Sequence, residues 1–454
     1  MRSIWAVATN TIRQALRMKV ALIFTILLLV LLPVMALSMP GDGTIKGRLQ
    51  AFVSYGLSLT SLLLCLLTIV VSIYTLTNDI KQKQIFTVLT KPVRRFQLLL
   101  GKLLGVILLD VVLLALFSAI IYTITIYTPK LLNAGEEELI SLNNEFFTAR
   151  ASLTPPKIDV TQEVLETYNK LKETNQLLPG SSKEDDIYVL TLRKELEKRA
   201  VPVGRELVWQ FQDVKPLDPN QSLFIRFKYD VSVSPPDLNI YGRWVVGDDR
   251  QIKYGTEMKT PIYTFDRKDF IRTFHEIEVP ADAVAEDNYL AVGFFNPPLN
   301  DTVVIFPTDG GLEMLYKADS FTANFLRAAL LILLRLIFLA CLGILAASFL
   351  SFPVAVLFCL MIFLTGTISS FVLESFDIMS KGLTSFYSYT IRPVVQLLPQ
   401  FDKFNPTKFL VPARLLSWLF LAKVAGLMVC VKATVLLLLA LLIFTYREMA
   451  KVII

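Results

Sequence analysis

Six apolar runs punctuate the chain, at residues 20–39, 51–77, 103–128, 328–350, 353–373 and 424–446. Each is close to or above the roughly 20 residues a helix needs to cross a ~30 Å hydrocarbon layer, so the pattern predicts six transmembrane helices. Asp110, Arg335 and Lys432 are the lone ionisable residues inside these runs. A charge at that depth is expensive unless it is paired or functional, which makes the three candidates for lining a path through the membrane. Ahead of the first run, residues 1–19 set Trp5, Ala8, Ile12, Ala15 and Leu16 at helical spacing with Arg13 and Arg17 off the stripe. That predicts an amphipathic helix at the membrane interface. A cleaved leader is the competing reading, and the following apolar run exceeds the roughly 7–15 residues of a leader's core.

The pattern changes over 129–319. Its first part, 134–200, keeps a helical period: Val164, Leu165, Tyr168 and Leu171 form an apolar stripe, and Glu163, Glu166, Lys170, Lys172 and Glu173 form a solvated face. From Glu206 the period becomes two, with strand-like stretches at 207–211, 223–229, 243–246, 262–265, 274–279, 290–294 and 303–306. Pro235-Pro236-Asp237, Gly247-Asp248-Asp249 and Asn296-Pro297-Pro298 break them. Short strands at this spacing predict a β-sandwich over 205–316. Trp209, Tyr241, Trp244 and Tyr254 offer a platform for a sugar, against the commoner role of sandwich aromatics as core. The expected fold class is an α-helical polytopic membrane protein of six transmembrane helices with an inserted α+β extracytoplasmic domain.

Charge sharpens the division. Residues 130–318 carry 22 Lys and Arg against 31 Asp and Glu, net −9, and the remainder nets +15. A basic membrane portion suits anionic headgroups. Its cations are spread along membrane flanks, which argues against nucleic acid as a partner. All four cysteines lie in or beside apolar runs, so 129–319 has no disulfide framework. The single histidine, His275, excludes a His-rich metal site.

The densest basic stretch is 78–102, NDIKQKQIFTVLTKPVRRFQLLLGK, where Lys81, Lys83, Lys91, Arg94 and Arg95 gather against Asp79. Cytoplasmic loops collect Lys and Arg, so this loop is placed inside. Parity then puts both termini inside and 129–319 outside. It also puts 374–423 outside, although six cations outnumber three anions there. Ile85, Val88 and Leu89 ahead of Pro92 predict a short surface helix that stops before the proline.

The run Thr87-Val88-Leu89-Thr90-Lys91-Pro92-Val93-Arg94-Arg95, followed by Leu99-Leu100-Gly101-Lys102, resembles the membrane subunits of ABC-2-type ABC transporters. Those carry T-x-L-[ST]-x-P-[VL]-[ST]-R and Leu-Gly-Lys after their second membrane helix. Arg94 stands where Ser or Thr is usual, and Lys83-Gln84 replaces an acidic-Gly pair. Leu397-Leu398-Pro399-Gln400-Phe401-Asp402-Lys403-Phe404-Asn405 is similar to the L-L-P-N-F-x-x-F-N stretch of the multicopper-enzyme-maturation-like branch, with Gln400 for Asn. Phe444-Thr445-Tyr446-Arg447-Glu448 resembles that branch's F-x-x-R-[ED] ending. The resemblance covers the membrane portion and leaves out 130–318.

The resemblance implies a permease subunit of an inner-membrane exporter. An ABC ATPase, in two copies, would dock on Thr87, Leu89, Lys91, Pro92, Arg94, Arg95, Gly101 and Lys102, and a second permease copy would complete the complex. An extracytoplasmic protein or glycan would meet 129–319. The chain has no G-x-x-x-x-G-K-[ST] loop, so ATP is expected in the partner, with no cofactor or enzyme activity here. The alternative is a non-transporting membrane anchor that displays the sandwich for adhesion or sensing. An intramembrane hydrolase is disfavoured, since Asp110 has no second membrane aspartate and no His-Glu-x-x-His is present.

Overall fold

The computed structural model of the chain describes residues 2–39, 41, 43–82, 94–156, 158–174, 183–214, 222–255, 259–308, 310–377, 390, 392–393 and 398–446. The first elements are α1 (Arg2–Leu16), α2 (Lys19–Ser38), α3 (Ile45–Lys81), α4 (Arg95–Leu131) and α5 (Glu136–Glu145). Then come β1 (Thr148–Leu153), α6 (Thr161–Glu173), α7 (Lys183–Lys198), β2 (Ala200–Val201), β3 (Glu206–Phe211), β4 (Leu223–Phe227), β5 (Asp230–Val231), β6 (Asn239–Gly247) and α8 (Asp249–Tyr254). β7 (Tyr263–Phe270), β8 (His275–Val279), β9 (Leu290–Phe295), β10 (Val304–Ile305) and β11 (Leu312–Ser320) follow. The chain closes with α9 (Phe321–Phe349), α10 (Phe352–Thr367), α11 (Ser369–Asp377), α12 (Thr407–Leu410) and α13 (Trp418–Tyr446). Two compact units result, Met1–Phe147 with Phe321–Ile454, and Thr148–Ser320.

In the first unit α2, α3, α4, α9 and α13 are long and apolar enough to cross a membrane, which makes this a multi-pass membrane protein. The expected span at 353–373 is shorter. α10 has 16 residues, about 24 Å of rise, and ends at Thr367. The chain restarts as α11 because Asp402 caps it: Ser369 Oγ donates to Oδ1 at 2.8 Å and the Ser370 amide to Oδ2 at 2.5 Å. α3 and α4 have 37 residues each, about 55 Å, and outrun the apolar stretches that announced them. Helix therefore takes in 78–81 and 95–102 of the loop expected at 78–102, and the surface helix expected ahead of Pro92 lies outside the described residues.

Two further expectations are corrected here. The segment 374–423 is not wholly an outer loop. Phe401, Leu410 and Leu416 are buried in the same core as α3 and α9, and the Phe401 amide donates to Gly366 O at 2.9 Å. Arg327, whose place just ahead of the 328–350 run predicts a side chain snorkelling into water at the outer interface, is instead buried with its guanidinium 4.9 Å from the Trp418 ring. The sequence signal in both cases was polarity, and both segments satisfy it internally.

The second unit holds three antiparallel sheets, ordered β1-β11-β4-β8, β2-β10-β5 and β3-β9-β6-β7. Residues of all three meet in one apolar core around Trp244, Phe227, Phe294 and Phe306. Six of the seven expected strand stretches hold a full strand, and the seventh keeps two paired residues, Val304–Ile305. β1 corrects the expectation that 134–200 is helical throughout: its residues pair with β11, Thr148 opposite Ser320. α5 belongs to the membrane unit, so the inserted unit is 148–320 and not 129–319. α6 and α7 form a small hairpin closed by Val164, Tyr168 and Leu190. Trp209 and Trp244 are core, so the sugar platform does not form. Asn296 is fully buried and ties the loops, its Nδ2 donating to Val201 O at 2.9 Å and Thr302 O at 3.0 Å.

Candidate functional site

α3 carries small or polar residues at 61, 65, 68, 72, 75 and 79, a spacing of four and three that keeps them on one face. Ser61, Cys65, Thr68, Ser72, Thr75 and Asp79 are all buried in an otherwise Leu-, Ile- and Val-rich helix. The stripe faces α4 and α9, and each of its polar groups engages a partner or its own backbone. Ser72 Oγ donates to Ile69 O, and Gly343 of α9 leaves it room: a Cβ there would stand 1.9 Å from Ser72 Oγ. Small residues at such a crossing let helix backbones approach closely within a membrane.

At the end of α3 nearest the basic segment, Lys102 Nζ lies 2.6 Å from Asp79 Oδ2 and donates to Thr75 O at 2.6 Å. Gln14 of α1 donates to Asp79 Oδ1 at 3.0 Å. Lys102 is 2% exposed. α1 is held there by Gly101 and Gly105, a G-x-x-x-G pair on α4. A Cβ at Gly101 would stand 2.6 Å from Val7, and one at Gly105 2.7 Å from Ala8 O. The expected stripe of α1 is thereby split: Ala8 and Ala15 are buried with Thr11, while Trp5 and Leu16 stay exposed.

Of the two flanking arginines, Arg95 engages through its guanidinium and Arg94 through its backbone amide. Arg95 Nη1 donates to Phe444 O at 3.3 Å and Thr445 O at 2.5 Å, satisfying carbonyls at the end of α13. Arg94 caps the start of α4, its amide donating to Gln97 Oε1 at 3.1 Å. Thr87, Leu89, Lys91 and Pro92 lie outside the described residues. A cavity of about 570 Å³ opens beside them in sequence, lined by Tyr74, Asn78, Lys81, Ser351 and Phe352 among others.

The three charges expected inside the membrane separate into two arrangements. Arg335 donates to Phe401 O at 2.9 Å and to Ser61 Oγ at 3.3 Å, with its guanidinium 5.1 Å from the Phe401 ring centre. Lys432, in the π-helical stretch Gly426–Ala433, donates to Leu398 O at 2.9 Å. Both cations thus hold residues 398–401. Asp110 stands apart, its Oδ1 2.9 Å from Thr68 Oγ1 and its Oδ2 without a partner among the described residues. Asp79, Lys102 and Arg327 join them as buried charges that hydropathy placed outside the membrane runs. The signal that would have found Asp79 and Lys102 is the heptad-spaced stripe, which runs past the apolar window.

Among the described residues no group of three or more His, Cys, Asp or Glu side chains is placed to hold a metal ion. Comparison with protein-family models, curated proteins and solved structures finds no match.

Proposed function

We propose that this chain is the permease subunit of an ABC transporter, an exporter driven by a separate ATPase that docks on residues 82–94 from the cytoplasm. The observation that carries the reading is the frame at the foot of that segment. α3 and α4 leave it joined by the Asp79–Lys102 pair, α1 is fixed to both, and Arg95 ties in the end of α13. Force applied to the segment reaches four helices at one level. A stiff element anchored to several spans is what a coupling device needs, whereas a passive anchor needs no such frame. In this reading both termini face the cytoplasm and a second permease copy completes the pathway. The sheets of 148–320 form an extracytoplasmic β-sandwich that meets a protein or glycan.

Co-purification tests it. Wild-type protein is expected to retain an ATPase subunit that a Lys91→Glu, Arg94→Glu variant loses. Arg95 is left unchanged because it holds α13. Equal retention by both proteins, or an unaltered phenotype when 82–94 becomes a neutral linker, favours the anchor reading instead.

A further inference from the structure

The mid-membrane carboxyl can be assigned its proton by counting hydrogens. Thr68 Oγ1 lies 2.8 Å from Leu64 O and 2.9 Å from Asp110 Oδ1. A threonine hydroxyl has one hydrogen and two lone pairs. Neither a carbonyl nor an ionised carboxylate can donate, so a charged Asp110 would leave two acceptors competing for one hydrogen at full bonding distance. A protonated Asp110 removes the conflict: its O–H donates to Thr68 Oγ1, and Thr68 donates to Leu64 O. The second carboxyl oxygen points the same way. Oδ2 is buried with no donor among the described residues, a heavy cost for an ion and a modest one for the carbonyl oxygen of a neutral acid. Asp110 is 1% exposed, and no ion pair reaches it among the described residues.

We propose that Asp110, Thr68 and the Leu64 carbonyl form a proton-binding site within the membrane unit, occupied in this conformation. The groups around it define what release of the proton does. α3 presents Cys65 and Thr68. α9 presents Arg335, held by Ser61 Oγ and Phe401 O. Farther along the stripe Lys102 and Asp79 pair with each other, and Lys432 of α13 is engaged by Leu398 O. Release of the proton would therefore leave a charged Asp110 facing cations that are already engaged elsewhere. The site stands on its own geometry and does not depend on an ATPase partner.

Infrared difference spectroscopy of the full chain in lipid vesicles tests it, with Asp110→Asn and Thr68→Val. At neutral pH the wild type is expected to show a protonated-carboxyl C=O stretch that Asp110→Asn loses. Thr68→Val, which keeps the carboxyl but removes its acceptor, moves that stretch to higher frequency. A carboxylate band assigned to position 110 at neutral pH overturns the proposal. Should Asp110→Asn fail to fold, Thr68→Val decides alone: no shift of any protonated-carboxyl band overturns it.

Discussion

Changing Asp79 to Asn removes one charge from the frame at the foot of the basic segment. Lys102 would then be left with Thr75 O as its acceptor while remaining 2% exposed. Breaking a buried pair from one side costs about 3–5 kcal/mol, because the remaining charge loses its compensation. The Asp79 side chain keeps 10% exposure and some hydration, so the lower end, about 3 kcal/mol, applies. That is about 150-fold in the folding equilibrium at 1.4 kcal/mol per decade. It corresponds to about 5 °C in melting temperature for a unit of this size. Replacing both residues together, Asp79→Leu with Lys102→Met, leaves no orphan charge and is expected to fall within about 1 kcal/mol of wild type. A double-mutant cycle on purified protein, followed by thermal melting and denaturant titration, gives the coupling term directly. The reasoning is refuted if Asp79→Asn shifts stability by less than about 1 kcal/mol. It is equally refuted if the double replacement is as unstable as the worse single one.

Three further outcomes are expected. Gly105→Leu drives a side chain into Ala8 O and Thr11, and should release α1, seen as faster proteolysis within residues 2–16 while α4 stays protected. Asn296→Ala strands Val201 O and Thr302 O in the interior and should cost the second unit about 2–4 kcal/mol, read from its denaturation in the full chain. In the same unit, hydrogen bonds from Arg250 hold the Asp287 carboxyl below its usual range. The folded form is favoured by this pair above the unfolded carboxyl's pKa of ~3.9, and the advantage disappears as pH falls through the lower folded value. Melting should therefore be insensitive to Asp287 from neutral pH down to about 4 and decline below it, and Arg250→Gln, which lets the folded pKa return toward the unfolded one, should flatten that decline without moving its onset.

Hydropathy located the membrane helices because burial in lipid demands uncharged length, and it failed where charges satisfy one another. Asp79 and Lys102 ended the apolar windows, yet α3 and α4 run through them as a buried pair. Period-two alternation located β3, β4 and β6 to β9; β6 and β7 expose alternate residues, while β4 and β9 are buried on both faces. β1 was missed because its partner, β11, lies more than 150 residues away and its own sequence, TARASL, alternates only weakly. At the site, Arg335 and Lys432 were visible as lone charges, but each donates to a backbone carbonyl of 398–401, which no side-chain pattern encodes. The stripe from Ser61 to Asp79 was legible in its spacing and hidden by its mildness: Ser, Thr and Cys do not interrupt an apolar window.

The transport reading is tested most directly at Gln82, the last described residue ahead of 83–93. A photo-crosslinking amino acid placed there in intact cells, followed by mass spectrometry of the adduct, reports what the segment touches. The expected adduct is a cytoplasmic protein bearing a G-x-x-x-x-G-K-[ST] loop. Adducts to extracytoplasmic proteins, or to lipid alone, would contradict it.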